Sequence, residues 1–245
     1  MYGWRGRIGI VIPCVNITME PEFNRLAAEI PGLAVHSARM HIELESAEKV
    51  LTKEALFDMQ SLAVKTVIPE LAHANVGVIV YGCTSGSFMG GPGWDQKIVE
   101  SIHEKTGIPA TTTTTAVVAA LKALNVRRVA LGTPYNEEIT GLGKTFLEDE
   151  GFEVVNTVAL DIVDEIITDV PQSLAYQLGR RLDTPQADCI FISCTSFPTI
   201  DVIDTLESDL GKPVISANLA SFWHALQILA VKPRLSGYGS LLGEV

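Results

Sequence analysis

Basic residues are scarce in this chain: 18 Lys and Arg stand against 29 Asp and Glu, a formal charge of −11. They form no run anywhere, so the electrostatic footprint that grips a phosphate backbone is missing and nucleic acid is not an expected partner. The acidic surplus reads as a solvated surface and identifies no ligand. Long apolar runs are absent too; none approaches the ~20 residues that cross a bilayer, so no membrane association is expected. The opening Met-Tyr-Gly-Trp-Arg-Gly-Arg leads only into the short apolar stretch Ile8 to Pro13, with no small-residue cleavage site, and reads as a first strand and not a signal peptide.

Cysteine is also sparse, with four residues at positions 14, 83, 189 and 194. None forms a Cys-x-x-Cys pair and none has a histidine at metal-site spacing, which disfavours structural zinc. In a chain without export signals they read as reduced thiols of a cytoplasmic protein. The glycine-rich stretch from Gly86 to Gly93 contains no lysine and is no P-loop, and no Gly-x-Gly-x-x-Gly follows the first strand. No nucleotide is expected.

What remains is 245 residues of globular composition, 47% apolar and 19% charged. Short β-branched runs alternate with longer stretches of helical period, the pattern of parallel strands joined by crossover helices. Strands are expected near 7–12, 33–39, 76–82, 108–112, 127–132, 152–159, 188–193 and 213–217. Helices are expected near 19–30, 52–73, 94–106, 115–125, 136–150, 171–183, 199–210 and 219–230. Thr52 has the chemistry of an N-cap, Pro171 suits a first helical position, and Pro69 should kink or divide the long second helix.

An internal repeat organises the chain. Val78-Ile-Val-Tyr-Gly-Cys83-Thr-Ser is echoed by Ile190-Phe-Ile-Ser-Cys194-Thr-Ser, and Ile8-Gly-Ile-Val-Ile-Pro13 by Val129-Ala-Leu-Gly-Thr-Pro134. Each cysteine motif is followed by a helix and a Gly-x-Pro turn, Gly107-Ile-Pro109 and Gly211-Lys-Pro213. The expected fold is therefore α/β in two similar halves. Residues 1–113 with 217–245 would form the half carrying Cys83, and 114–216 the half carrying Cys194. Ligands of open parallel sheets bind beyond the carboxyl ends of the strands, where every echoed motif lies. If the strand ends face one another, the cleft holds a pair of cysteines.

Two thiols on opposite sides of a small carbon acid can divide the work, one removing a proton or attacking while the other returns a proton from the far side. Thr84, Ser85, Thr195 and Ser196, with the N–H groups of Gly86 and Ser87, are suited to hold a carboxylate through neutral donors. The plainer reading is that these hydroxyls cap helices and the glycines relieve a turn. Asn16 and Tyr135 stand at nearly equivalent strand ends and could complete a carboxylate clamp, although an Asn there also reads as a cap. Cys189 lies inside an apolar strand and reads as core; Cys14 either borders the cleft or packs. The run from Thr111 to Thr115 reads as a strand ending in a helix cap, and His224 beside Trp223 reads as packing.

Pro13-Cys-Val-Asn16-Ile-Thr-Met-Glu-Pro-Glu22, Gly82-Cys83-Thr-Ser, Gly132-Thr-Pro-Tyr135, Ser193-Cys194-Thr and Leu210-Gly-Lys-Pro-Val-Ile-Ser216-Ala-Asn218, with Trp223, resemble the maleate cis-trans isomerase and arylmalonate decarboxylase branch of the aspartate/glutamate racemase superfamily. The resemblance covers nearly the whole chain in motif order. It implies two Rossmann-like halves, each a four-stranded parallel sheet flanked by helices, related by a pseudo-twofold axis. It further implies no cofactor, no metal, a site between the halves and homo-oligomerisation. By similarity, Cys83 would add to an alkene carbon to give a succinyl-like thioether in which the C–C bond turns. Cys194 would be the acid/base partner, and Asn16 and Tyr135 would hold carboxylates.

Decarboxylases of this branch carry Gly in place of the first cysteine, so Cys83 favours isomerase or racemase chemistry. Two positions depart from the pattern. Family members often carry Ser where Cys14 stands. Maleate isomerases place an Asn near position 160, where this chain offers Asp161, Asp164 and Glu165; an acid there would repel a dianion or suit a substrate bearing an amino group. The leading expectation is a cofactor-independent cis-trans isomerase of a small unsaturated dicarboxylate. A two-thiol racemase is the runner-up, followed by an arylmalonate-type decarboxylase and a carboxylate-binding module without turnover.

Overall fold

A computed structural model of the chain describes residues 2–41, 53–162, 167 and 169–243. The expected cap at Thr52 and the acids at 164 and 165 lie outside the described residues. The chain runs β1 (Gly6–Pro13), α1 (Met19–Ala28), β2 (Leu33–Met40), α2 (Lys53–Lys65), α3 (Val67–Ala72), β3 (Val78–Tyr81), α4 (Thr84–Phe88), α5 (Trp94–Thr106) and β4 (Ala110–Thr112). It continues through α6 (Thr113–Ala123), β5 (Arg128–Thr133), α7 (Glu137–Asp149), β6 (Glu153–Ala159), α8 (Gln172–Leu182), β7 (Cys189–Ile192), α9 (Ile203–Leu210), β8 (Val214–Ser216), α10 (Ala217–Ile228) and α11 (Ser240–Gly243).

The strands form two four-stranded parallel sheets of identical order, β2-β1-β3-β4 and β6-β5-β7-β8. The repeat seen in the sequence is thus a repeat of topology, with β1 matching β5 and β3 matching β7. Ile8 pairs with Val78 in the first sheet and Val129 with Cys189 in the second. Strands β3 and β7 are buried along their whole length, because helices cover both faces of a parallel sheet. That is why their sequences are continuous apolar runs without alternation. In each sheet the chain order reverses between the two central strands, so the switch-point crevice opens at the carboxyl ends of β1 and β3 and of β5 and β7.

The two halves match in fine detail where strand passes directly into helix. Thr112 Oγ1 accepts the Thr115 N–H at 3.1 Å to cap α6, and Ser216 Oγ accepts the Leu219 N–H at 3.2 Å to cap α10. Each satisfies one orphan donor of a helix first turn, worth about 1 kcal/mol. Helices α6 and α10 are apolar around most of their girth and pack on one another, and α10 also meets β3, β4, β8 and α1. At the α1 contact Phe23 meets Phe222 edge to face, with centroids 5.3 Å apart.

Pro69 divides the second helical stretch as expected. Its ring would strike the carbonyl four residues back, at Lys65, and α2 ends there; Thr66 leaves helical geometry (φ −120°, ψ −87°) before α3 begins. Pro171 precedes α8 by one residue, so it is the cap and not the first helical residue. Two short helices, α4 and α11, fall where no helix was expected, and α9 begins at Ile203, later than the expected 199.

Candidate active site

Six of the seven expected site residues meet in one cavity. Cys83, Thr84 and Ser85 from the end of β3, Tyr135 from the end of β5, and Cys194 and Thr195 from the end of β7 line a space of about 50 Å3. Val15, from the motif after β1, with Leu56 and Ile167, which no sequence motif disclosed, supplies an apolar wall. Among the described residues none of the lining side chains is charged, so a carboxylate bound here would rely on neutral donors. Both cysteines are nearly buried, and no disulfide links them.

Local geometry sets the two thiols differently. Cys83 is extended (φ −135°, ψ 107°) and leads into α4, accepting the Ser87 N–H on its carbonyl at 3.1 Å. Ser85 Oγ lies 3.9 Å from Cys83 Sγ. Helix α4 is tied down by Ser87 Oγ donating to the Thr84 carbonyl at 2.8 Å and by Trp94 Nε1 donating to the Gly86 carbonyl at 3.0 Å. A Cβ at Gly86 would stand 2.9 Å from Tyr81 Oη and 3.0 Å from Cys83 Sγ, so a larger residue there would displace the phenol or the thiol. Burial, and then the neighbouring Cys83, push the Tyr81 phenol well above its ordinary range, so it is a neutral hydroxyl behind the thiol.

Cys194 instead takes φ +90°, a conformation that costs a side-chain-bearing residue roughly 1–3 kcal/mol and is sustained only by its surroundings. Those surroundings are visible. Thr195 Oγ1 donates to the Gly82 carbonyl at 3.0 Å and accepts from Asn16 Nδ2 at 3.0 Å, joining the ends of β1, β3 and β7 in one chain of hydrogen bonds. Thr18 Oγ1 donates to the Ser196 carbonyl at 2.9 Å, and Asn218 Nδ2 to the Thr195 carbonyl at 3.1 Å.

Among the described residues Thr84 Oγ1 is buried without a hydrogen-bond partner, and Thr84 lines both this cavity and an apolar pocket formed with Phe88, Thr114 and Leu131. An orphaned hydroxyl is costly to keep unless a ligand satisfies it, which makes Thr84 a candidate to hold a ligand oxygen.

Residues 8–242 match the family model of arylmalonate decarboxylase. The chain belongs to the arylmalonate decarboxylase family. Maleate isomerase of Nocardia farcinica is 30% identical over 97% of this chain and 96% of its own length. Arylmalonate decarboxylase of Bordetella bronchiseptica is 30% identical over 97% and 96%. A cysteine-to-serine variant of the Nocardia farcinica maleate cis-trans isomerase, solved with a covalently bound succinylcysteine intermediate, superposes with a TM-score of 0.89 at 29% identity, covering 98% of this chain and 99% of that one.

In this member of the arylmalonate decarboxylase family, Asn16 stands one layer behind the cavity. It is fully buried; its Oδ1 accepts the N–H groups of Thr18 and Met19 at 2.9 and 3.0 Å, the bonding of a cap, and its amide holds Thr195. In the second half the comparable cap is Asn136, whose Oδ1 accepts the Ile139 N–H at 2.9 Å at the start of α7. Cys14 is exposed and is not among the lining residues, and Asp161 is likewise exposed outside the cavity. Cys189 is core, and burial raises its thiol pKa. His224 Nδ1 is hydrogen-bonded to Thr111 Oγ1 at 2.9 Å and its ring stacks on Trp223, its pKa lowered by burial. Among the described residues no group of three or more His, Cys, Asp or Glu is placed to hold a metal ion, and no helix is long and apolar enough to cross a membrane.

Proposed function

We propose that the chain is an isomerase converting a small cis-unsaturated dicarboxylate of the maleate type to its trans form without a cofactor. The observation that carries this reading is the meeting of Cys83 and Cys194, from opposite sheets, in one uncharged cavity with an orphaned Thr84 hydroxyl. The succinylcysteine trapped in the Nocardia farcinica relative is the intermediate such a pair would produce.

Cys83 as thiolate adds through Sγ to one alkene carbon, and the π electrons move to the second carbon and its carboxylate. The Cys194 thiol protonates that carbon, leaving a succinyl thioether joined to Cys83 and a Cys194 thiolate. The former double bond is now single and turns. Cys194 removes the proton, the C–S bond breaks, the trans alkene forms and Cys83 leaves as thiolate. Atoms and charge balance over the cycle. Thr84, Ser85 and Tyr135 donate to the carboxylate on which charge gathers, while Asn16 acts by orienting Thr195. A cycle of this kind requires reduced thiols, which suits a cytoplasmic setting. The same reading divides the chain into 1–113 with 217–245 and 114–216, a division supported by the packing of α10 on β3 and β4, and takes the protein as a homo-oligomer.

Proton NMR of the reduced protein with maleate in D₂O tests it. Fumarate should appear with wild type and not with Cys83→Ala. Deuteration of L-aspartate at the α-carbon without alkene chemistry would move the protein to the racemases, and an unchanged maleate spectrum would overturn the reading.

A further inference from the structure

One buried ionisable group plays no part in that cycle. Glu22 lies on the packed face of α1, between Met19 and Phe23, with its carboxylate enclosed. Its Oε1 accepts the N–H groups of Thr199 and Ile200 at 2.8 and 3.1 Å, and its Oε2 accepts Asn218 Nδ2 at 2.6 Å. The same Asn218 amide nitrogen gives its other hydrogen to the Thr195 carbonyl. A single carboxylate on the first helix therefore holds the segment that follows Cys194 at three points.

We propose that Glu22 is a positioning residue that, as a carboxylate, fixes the 195–200 segment and thereby the aim of Cys194, and that its protonation releases Thr195. This rests on the roles given to Cys194 and Thr195 above. The release follows from hydrogen-bond arithmetic. Both neighbours of Asn218 Nδ2 are acceptors, so its orientation is set while Glu22 is ionised. A proton on Oε2 would face the amide hydrogens, and the conflict is relieved by turning the amide so that Oδ1, buried without a partner among the described residues, accepts it. The nitrogen then leaves the Thr195 carbonyl, and the strained φ at Cys194 loses one of its supports.

The charges around Glu22 favour the switch near neutrality. Burial, with Asp201 nearby, raises its pKa from 4.5 to about 7, against the opposing pull of its three hydrogen bonds. Asp201 is itself paired with Arg25 of α1, whose guanidinium lies 5.9 Å from the Tyr238 ring centroid. Farther out on α1, Glu20 is paired with Arg39 at 2.6 Å.

The test compares wild type with Glu22→Gln, a neutral isostere that reproduces the protonated arrangement. In wild type the amide signals of Thr195, Thr199 and Ile200 should move together with a midpoint near the Glu22 value, and in Glu22→Gln they should stand still. Turnover of maleate by Glu22→Gln should fall about tenfold in kcat above neutrality, with little change in KM, and should lose the acid limb attributable to this carboxyl. Asn218→Ala, which keeps Glu22 and both backbone bonds, should lower kcat while Thr199 and Ile200 still titrate; it decides the matter if Glu22→Gln does not fold. A Thr195 amide that ignores the titration, or an unchanged pH profile in Glu22→Gln, would overturn the proposal. If wild type leaves maleate untouched, the functional reading fails, and the concerted amide titration still decides whether Glu22 controls the segment.

Discussion

The two cysteines occupy matching places in matching sheets, yet their surroundings are not alike. Cys83 is in relaxed extended backbone at the head of a short helix held by neutral hydroxyl and indole contacts. Cys194 is in the left-handed region, on a segment braced from the other half by Asn16, Thr18 and the Glu22–Asn218 pair. The lesson is that a duplicated topology supplied two equivalent strand ends, and side chains outside the repeat made them unequal. One end is suited to a nucleophile that must stay put through a covalent intermediate. The other is suited to an acid/base whose aim is held by adjustable contacts.

Removing either thiol should have the largest effect. Cys83→Ala and Cys194→Ala should each reduce turnover by about 10³-fold or more, with circular dichroism and thermal midpoint near wild type. Full activity in either variant would show that the pair does not act together.

Next in size is a stability difference confined to the Cys194 side. Because Glu22 is raised from 4.5 to about 7, its neutral form is favoured in the fold. That stabilisation is fully present below the unfolded value and is lost as pH rises through the folded one. Glu22→Gln should therefore unfold like wild type near pH 4.5, and above pH 7 should be more stable than wild type by up to about 3 kcal/mol in urea titrations. Equal stability at pH 8 would show that the carboxylate is not strained by burial, and hence that the bracing of Cys194 is not pH-sensitive.

Thr84→Val tests the Cys83 side. Loss of the orphaned hydroxyl should raise KM for a dicarboxylate about tenfold while leaving the protein as stable or slightly more so, since no intramolecular hydrogen bond is removed. The smallest effect has opposite signs at the two cysteines. At position 194 Gly should be more stable than Ala by about 1 kcal/mol, because Gly tolerates positive φ, whereas at position 83 Ala should be more stable than Gly by about 0.5–1 kcal/mol. The same sign at both would erase the backbone difference between the halves.

Much of this was legible in the chain. The Cys-Thr-Ser echo and the Gly-x-Pro turns announced two like sheets, because a buried parallel strand leaves a continuous apolar run that ends abruptly at the site. The run from Thr111 to Thr115 reads as a strand ending in a helix cap, and Thr112 is that cap; Asn136, expected inside its helix, is instead the residue that caps it. Helix α4 was hidden because Thr84-Ser-Gly-Ser-Phe88 has the composition of a loop; it is held helical by a bond within the turn, Ser87 Oγ to the Thr84 carbonyl, and by Trp94 of α5 reaching the Gly86 carbonyl. Leu56 and Ile167 gave no local sign of facing the cavity, being ordinary apolar residues placed there by the fold. Asn16 reads either as a carboxylate clamp or as a cap because a strand-end amide looks the same whether it faces a ligand or a neighbouring loop; the bonds it makes to Thr18 and Met19 are those of a cap. Glu22 did leave a signal: Met19, Phe23 and Leu26 mark the packed stripe of α1, and a carboxylate within that stripe needs partners.

In the proposed cycle Cys83 forms the covalent bond and Cys194 moves the proton. Peptide mass spectrometry of the Cys194→Ala protein after incubation with maleate tests it most directly. The expected result is a succinyl adduct on the peptide bearing Cys83 and on no other. An adduct on Cys14 or Cys189 with Cys83 unmodified, or no adduct at all while wild type still makes fumarate, would contradict it.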